Sequence, residues 1–359
     1  MKILTKYVIK EILGPLFFGF FAFTSIFAGV IFLELLRSAD KYHFTVFYII
    51  KLLVLRMPEY MLQAAPIAVL LGALLGLGNL TSHSETIAMR AGGLTYAKLA
   101  YPVVLIGLVV SIGGILLNEY VVPNALRTYE SMKQSATKEV SSTIYHFYKD
   151  FYDGDNLKKL VYADRYEPKS KELFGVSIQE FDHGTLTRTI EASKMYWRGQ
   201  NWFFSQGRIY EYFPDNFYPI IVKKGQVKYD LSLTPSDIEQ LKDDPDNKSI
   251  SELSQYIKRF AHQGSEKRGL LVDLHLKFSI PLASLILALL GTPLALRPQR
   301  RSNAAGFGLC IIFILVWYIF MGLGTYMARN GVISPFVGAW LPNFVLAGYG
   351  VTVFRTVKS

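Results

Sequence analysis

Apolar and polar positions are organised on two length scales along this chain. On the longer scale, six runs approach the roughly 20 apolar residues that a membrane-crossing helix needs. They are Ile12–Leu33, Tyr60–Ser84, Leu99–Asn118, Phe278–Leu296, Ser302–Ala328 and Asn330–Phe354. The second helix is expected to begin earlier, near Phe44, with a kink at Pro58. The fifth and sixth runs are separated by Arg329 and a short turn around Asn330-Gly331, with Pro335 just beyond. Lys2, Lys6 and Lys10 precede the first run as in a signal peptide. That run is too long for such a core and has no clear small-residue cleavage site, so it reads as a retained span.

On the shorter scale, the stretch from about Ile144 to Leu233 has a period of two. Phe174, Val176 and Ile178 alternate with Gly175, Ser177 and Gln179. Further strand-like runs are Lys159–Tyr166, Leu186–Trp197, Trp202–Phe213 and Tyr218–Leu231. Turn clusters fall at Asp153-Gly154-Asp155-Asn156, Asp182-His183-Gly184, Arg198-Gly199-Gln200-Asn201, Pro214-Asp215-Asn216 and Lys223-Lys224-Gly225. Short strands at near-regular spacing suggest a sandwich or jelly roll. Its dense aromatics fit a filled core, or an apolar interior able to hold acyl chains along Phe174, Val176 and Ile178. Ser249–His262 reads as an amphipathic helix with Leu253, Tyr256, Ile257 and Phe260 on one side. The expected fold class is thus an α-helical polytopic membrane protein of six spans with an inserted all-β, jelly-roll-like domain. The expected domains are spans one to three over 1–122, the β domain with its linker helix over 123–265, and spans four to six over 266–359.

Composition sharpens that division. Of the 359 residues, 51% are hydrophobic and 18% charged, against about 25% charged in soluble domains. Residues 123–269 hold 22 basic and 21 acidic residues, whereas the flanks hold 16 basic and 7 acidic. Disorder, collagen and coiled coil are excluded, and a nucleic-acid partner is not indicated, because the basic excess sits at the ends of apolar runs. The candidate inner segments carry Lys2, Lys6, Lys10, Arg90, Lys98, Arg297, Arg300, Arg301, Arg355 and Lys358. The outer turns carry only Arg37, Lys41 and Arg329. Both termini are therefore expected in the cytoplasm, with the β domain outside. The single cysteine, Cys310, lies inside an apolar run and is expected to be packing.

Candidate chemistry is sparse. There is no P-loop, G-x-S-x-G or H-E-x-x-H, and the six histidines lack metal-ligand spacing. No catalytic constellation, bound cofactor or metal is expected, so work against a gradient would draw on a partner or an ion. Gly72 and Gly76 make a small-x-x-x-small face for close helix packing. Arg37, Lys41, Lys51, Arg56 and Lys277 lie toward the outer end of the spans, where a cation is costly unless paired or facing water. They could line a cavity for an anionic lipid. Alternatively, Arg56 could pair with Glu59, and Asp273 with Lys277. In the loop between spans two and three, Ser82 or Ser84 could cap a short helix carrying Glu85 and Arg90, ended by Gly92-Gly93.

The run from Leu70 through Gly72, Gly76, Gly78, Thr81, Glu85, Arg90 and Gly93 to Thr95 closely resembles the signature of the LptF/LptG (YjgP/YjgQ) lipopolysaccharide export permease family. Asn118-Glu-Tyr-Val-Val-Pro123, Arg56-Met-Pro-Glu59, Gly291-Thr-Pro-Leu-Ala-Leu-Arg-Pro298 and Trp340-Leu-Pro-Asn343 also resemble its motifs, in order through the membrane part. The Gly-Ala-Leu-Leu-Gly-Leu-Gly run is more LptG-like. The resemblance implies an ABC-type permease subunit of the inner membrane, paired with a second LptF/LptG-type subunit (a paralogue or a second copy). It implies an LptB-like ATPase dimer that binds ATP and Mg, and LptC- and LptA-like periplasmic partners. Lipopolysaccharide would leave the outer leaflet for a periplasmic jelly-roll bridge. The resemblance also implies that the segment about 81–93, with Ser84, Glu85 and Arg90, couples to the ATPase through Glu85, and that Arg37 and Lys41 face lipid A phosphates. Two alternatives remain open on the residues alone: a membrane-anchored scaffold or assembly factor, and an ion-coupled lipid flippase.

Overall fold

The computed structural model describes residues 2–42, 44–136, 144–153, 156–212, 220–242, 245–260, 264–296 and 303–358. The chain opens with α1 (Lys2–Tyr42), α2 (Val46–Gly72), a π-helical turn (Ala73–Leu77), α3 (Gly78–Ser82) and α4 (Glu85–Ala91). Then come α5 (Tyr96–Leu116), a second π turn (Leu117–Val121) and α6 (Val122–Ala136). Six strands follow: β1 (Ile144–Asp153), β2 (Asn156–Glu167), β3 (Glu172–Asp182), β4 (Thr185–Arg198), β5 (Asn201–Glu211) and β6 (Ile220–Tyr229). The chain closes with α7 (Pro235–Lys242), α8 (Ile250–Phe260), α9 (Gly264–Ala295), α10 (Asn303–Arg329) and α11 (Pro335–Lys358). Two compact units result. One is Met1–Thr137 with Asp246–Gln255 and Arg268–Ser359; the other is Lys138–Pro245 with Tyr256–Lys267.

Among the described residues, six helical segments are long and apolar enough to cross a membrane: Leu4–Ser38, Val46–Ser82, Tyr96–Lys133, Lys267–Ala295, Ala305–Arg329 and Pro335–Arg355. Their inner faces form one apolar cluster that includes Ile12, Leu16, Leu70, Leu71, Leu74, Val103, Leu287 and Leu290. Their outer faces are equally apolar: Phe17, Phe18, Phe21 and Ile26 on α1, and Ile312, Leu315 and Ile319 on α10, are exposed. Helices that are hydrophobic all round suit a lipid solvent. Span two continues through Pro58 and Pro66 as one helix. A π turn at Ala73–Leu77, in the glycine-rich stretch, follows it. Span three does not end at Asn118 but passes through its own π turn into amphipathic α6.

Close approach explains the glycines. A β-carbon on Gly76 would stand 2.8 Å from Ile12 Cα and 2.9 Å from the Glu11 carbonyl oxygen. One on Gly72 would stand 2.9 Å from Leu16 Cβ. Both obstacles belong to α1, so this face seats α1 against α2. Buried polar groups tie other spans. Asn343 Nδ2 donates to the Ser279 carbonyl at 2.8 Å and its Oδ1 accepts from Trp317 Nε1 at 3.2 Å, linking α9, α10 and α11. Cys310 is buried, as its apolar surroundings predict.

The second unit is a six-stranded antiparallel sheet whose strands keep chain order, β1-β2-β3-β4-β5-β6. That is a meander, the order that tight hairpins produce. His183 and Gly184 (φ 46° and 83°) and Gly199 and Gln200 (φ 54° and 75°) supply the consecutive left-handed residues of two such hairpin turns. The expected turn at Lys223-Lys224-Gly225 is absent. β6 runs through it, and the irregularity is absorbed as register shifts against β5 around Phe204–Tyr210. Two buried rows cross the sheet. Val161, Ala163, Val176, Ile178, Ile190 and Ala192 form one; Tyr166, Leu173, Met195 and Phe204 form the other. The rows have opposite parity along each strand, and Gly175 (φ 60°) sits between them in β3. The sheet curls on itself: Tyr229 Oη donates to Glu180 Oε1 at 2.6 Å, and Lys159 Nζ to the Asp230 carbonyl at 3.1 Å. Burial there lowers the Lys159 pKa.

Both short helices after the sheet start with reciprocal caps. The Thr234 amide donates to Asp237 Oδ2 at 2.8 Å, and the Asp237 amide returns to Thr234 Oγ1 at 3.3 Å. Ser249 and Glu252 repeat this at 2.8 and 3.2 Å. The helix expected over Ser249–His262 is observed over Ile250–Phe260, with Leu253, Tyr256 and Ile257 buried. The Phe260 side chain lies outside the described set.

Candidate outer charge site and coupling helix

At the end of the helical unit where α1 meets α2, Arg56 is half-buried. Its Nη2 stands 3.2 Å from Glu59 Oε2 and 3.4 Å from Tyr60 Oη, and its guanidinium lies 5.1 Å from the Tyr129 ring centre on α6. The intrahelical pair is therefore formed. The Asp273–Lys277 pair is not. Arg329, the last residue of α10, reaches Asp273 Oδ1 at 2.5 Å. Lys277 Nζ donates to the Asp246 carbonyl at 3.3 Å. Asp246, Asp273, Glu59 and Glu119 all surround Lys277. Four acids thus stand against Arg56, Lys277 and Arg329 in this cluster.

Arg37 and Lys51 differ. Both are exposed, and neither makes an ion pair among the described residues. Lys41 lies in the last turn of α1, and its side chain lies outside the described set. Four of the five sequence candidates thus divide into a paired group, Arg56 and Lys277, and an exposed one, Arg37 and Lys51.

Sequence patterns did not reveal the clamp beside this cluster. Ser251 Oγ donates to Glu119 Oε1 at 2.5 Å, Asn118 Nδ2 to the Lys277 carbonyl at 2.9 Å, and Arg127 pairs with Glu252. The first and third fasten segment 246–255 to span three, and the second joins span three to span four. Burial tends to raise the Glu252 pKa, but the Ser249 amide and Arg127 outweigh it and hold the carboxyl below its usual value.

At the other end of α1 lies α4. Ser84 occupies its N-cap position with φ 63°, a left-handed conformation, and makes no side-chain cap. Ser82 Oγ turns back to the Asn79 carbonyl at 2.9 Å. Neither serine is the expected cap. Glu85 opens the helix and accepts a 2.9 Å hydrogen bond from Tyr7 Oη on α1. Thr86 is buried and donates to Thr81 Oγ1 at 3.3 Å, joining α4 to the end of span two. Arg90 stacks 3.9 Å from the Tyr96 ring centre. Gly92 and Gly93 end the helix as expected, with Gly93 at φ 86°. Ile87, Arg90, Leu94, Tyr96 and Phe354 line an open cleft of about 850 Å³ beside it.

In the β unit, Val176 and Ile178 are buried in the first row. Phe174 is only half-buried, with Arg165 4.3 Å and Lys194 5.4 Å from its ring centre. The expected three-residue apolar stripe is thus two residues and a cation-capped ring. Among the described residues, no cluster of His, Cys, Asp and Glu could hold a metal.

Residues 6–356 match the family described as lipopolysaccharide export system permease LptF/LptG. The chain is 25% identical over 355 residues to the lipopolysaccharide export system permease protein LptG of Escherichia coli (strain K12), covering 95% of this chain and 94% of that protein. It is 24% identical over 348 residues to the protein of the same description from Haemophilus influenzae (strain Rd), covering 95% of each.

Proposed function

This chain belongs to the LptF/LptG family, and we propose that it extracts lipopolysaccharide from the outer leaflet of the inner membrane as one half of a permease driven by a separate ATPase. It is a multi-pass permease subunit of lipopolysaccharide export and not itself an enzyme. The finer reading assigns ATP and Mg to an LptB-like dimer docked on α4, with Glu85 meeting a cation of that ATPase while Arg90 and Ser84 flank it. A second LptF/LptG-type subunit completes the path, and LptC- and LptA-like proteins receive the lipid. Both termini lie in the cytoplasm and the β unit in the periplasm, as the basic residues direct.

The observation that carries the lipid site is the split among the cations. Arg56 and Lys277 are neutralised within the helical unit, whereas Arg37 on α1 and Lys51 on α2 are exposed. They suit a phosphate-bearing headgroup, which arginine can grip bidentately. Lys41 extends the same basic end of α1. In the β unit, acyl chains would run along the Val176 and Ile178 row. Photo-crosslinking tests the headgroup site. Arg37→Glu with Lys51→Glu should lower lipid capture at the outer end of α1 while ATPase co-purification is kept. Capture equal to wild type at matched expression would reduce these residues to topology anchors.

A further inference from the structure

We infer that Tyr7 is the positioning residue that transmits movement of α4 to α1. The inference rests on the proposal that Glu85 docks the ATPase, and adds a second function to the same carboxylate. Tyr7 and Glu85 are 78 residues apart in sequence, yet Tyr7 Oη lies 2.9 Å from Glu85 Oε2. A carboxylate has two oxygens and about four acceptor sites. Glu85 can therefore hold the tyrosine on Oε2 and receive a partner's cation on Oε1 at the same time.

The surroundings make this contact mechanically useful. α4 is held to the end of span two by buried Thr86 and Thr81, so the two shift together. Span two is seated on α1 at Gly72 and Gly76, where a β-carbon would strike Leu16 and Ile12. α1 packs on span two at the glycine seat and again at Phe27 against Tyr60 and at Ile31 and Leu35 against Ile49 and Leu52, while Tyr7 reaches α4. Tyr7 and Ile12 are five residues apart, about 7.5 Å along the helix. The glycine seat is a pivot and Tyr7 the point of application of force. The π turn Ala73–Leu77 occupies the pivot, and such turns are frequent at functional sites. One face of the rest of α1 is exposed through Phe17, Phe18, Phe21, Ile26 and Val30, and the opposite face is packed. A tilt applied at its Tyr7 end is carried along α1 to its contacts with α2 at Phe27, Ile31 and Leu35.

The hydroxyl is isolated by Tyr7→Phe, which keeps the ring. The assay is the full complex with its ATPase in proteoliposomes, read as ATPase co-purification, ATP hydrolysis and lipopolysaccharide released per ATP. Tyr7→Phe should keep co-purification and hydrolysis within about twofold of wild type, while lipid released per ATP falls about three- to tenfold, the range of a modest coupling energy. Wild-type lipid per ATP would overturn the inference, and so would loss of ATPase co-purification, which would make Tyr7 part of the docking surface. Glu85→Lys is the parallel arm. If it keeps the ATPase bound, the docking proposal fails by itself, whatever Tyr7→Phe does.

Discussion

Removing the Arg56 guanidinium would leave the Glu59 carboxylate half-buried without the cation now 3.2 Å away. Breaking a fully buried pair costs about 3–5 kcal/mol, and a surface pair about 0–1 kcal/mol. These side chains are 25% and 27% exposed, so about 1–3 kcal/mol is expected for Arg56→Ala. Glu59→Ala in the same chain should restore much of the loss. Thermal unfolding of the purified protein in detergent is the check; an unchanged midpoint together with lost lipid capture would make Arg56 a ligand after all. Glu252 supplies a pH prediction. Its folded pKa is depressed, so its contribution is present above the unfolded carboxylate value and is lost as pH falls through the folded one. Amide exchange in α8 should therefore accelerate on acidification below about pH 4, and Glu252→Gln should remove that pH dependence. Residue types and depth in a span were enough to propose the Arg56–Glu59 pair. Depth could not reveal that Asp273 turns to Arg329, because that partner is 56 residues away. Nor could it reveal Tyr7, whose single polar atom on an apolar helix carries no periodic signal.

The glycine seat between α1 and α2 offers an internal control. A methyl at Gly76 would meet α1 backbone, which cannot rotate aside, whereas a methyl at Gly78 meets nothing within 4 Å. Gly76→Ala should destabilise by about 1–3 kcal/mol, the usual cost of overpacking. Gly78→Ala should be neutral or slightly stabilising, because alanine favours a helix over glycine. Equal midpoints for the two variants would remove the close crossing. Element positions were largely legible. Spans follow from apolar length, strands from a period of two, and hairpins from Asp-His-Gly and Arg-Gly-Gln-Asn. The two caps at Thr234–Asp237 and Ser249–Glu252 are sequence signals too, though only the second helix was expected. The π turns were not legible, since one extra residue in a helical turn leaves hydropathy unchanged. The Lys-Lys-Gly stretch of β6 misled because glycine and charge mark a turn and a register shift alike. The change of parity around Gly175 likewise breaks the alternation that put Phe174 with Val176 and Ile178.

The whole molecule combines an apolar-surfaced helical unit, which carries the short helix α4, and a curled antiparallel sheet. Its apolar outer faces and neutralised charge cluster require a membrane. Its family assigns lipopolysaccharide export. A scaffold would bind its partners without moving lipid, and an ion-coupled flippase would move lipid without an ATPase. The deciding measurement is therefore lipopolysaccharide transfer from proteoliposomes, containing this chain and its co-purified partners, to a soluble periplasmic acceptor. Transfer is expected to require ATP, to stop when the ATPase is omitted or when Glu85→Lys is introduced, and to ignore an imposed proton or sodium gradient. Transfer driven by such a gradient without the ATPase, or stable partner binding with no transfer under ATP, would contradict it.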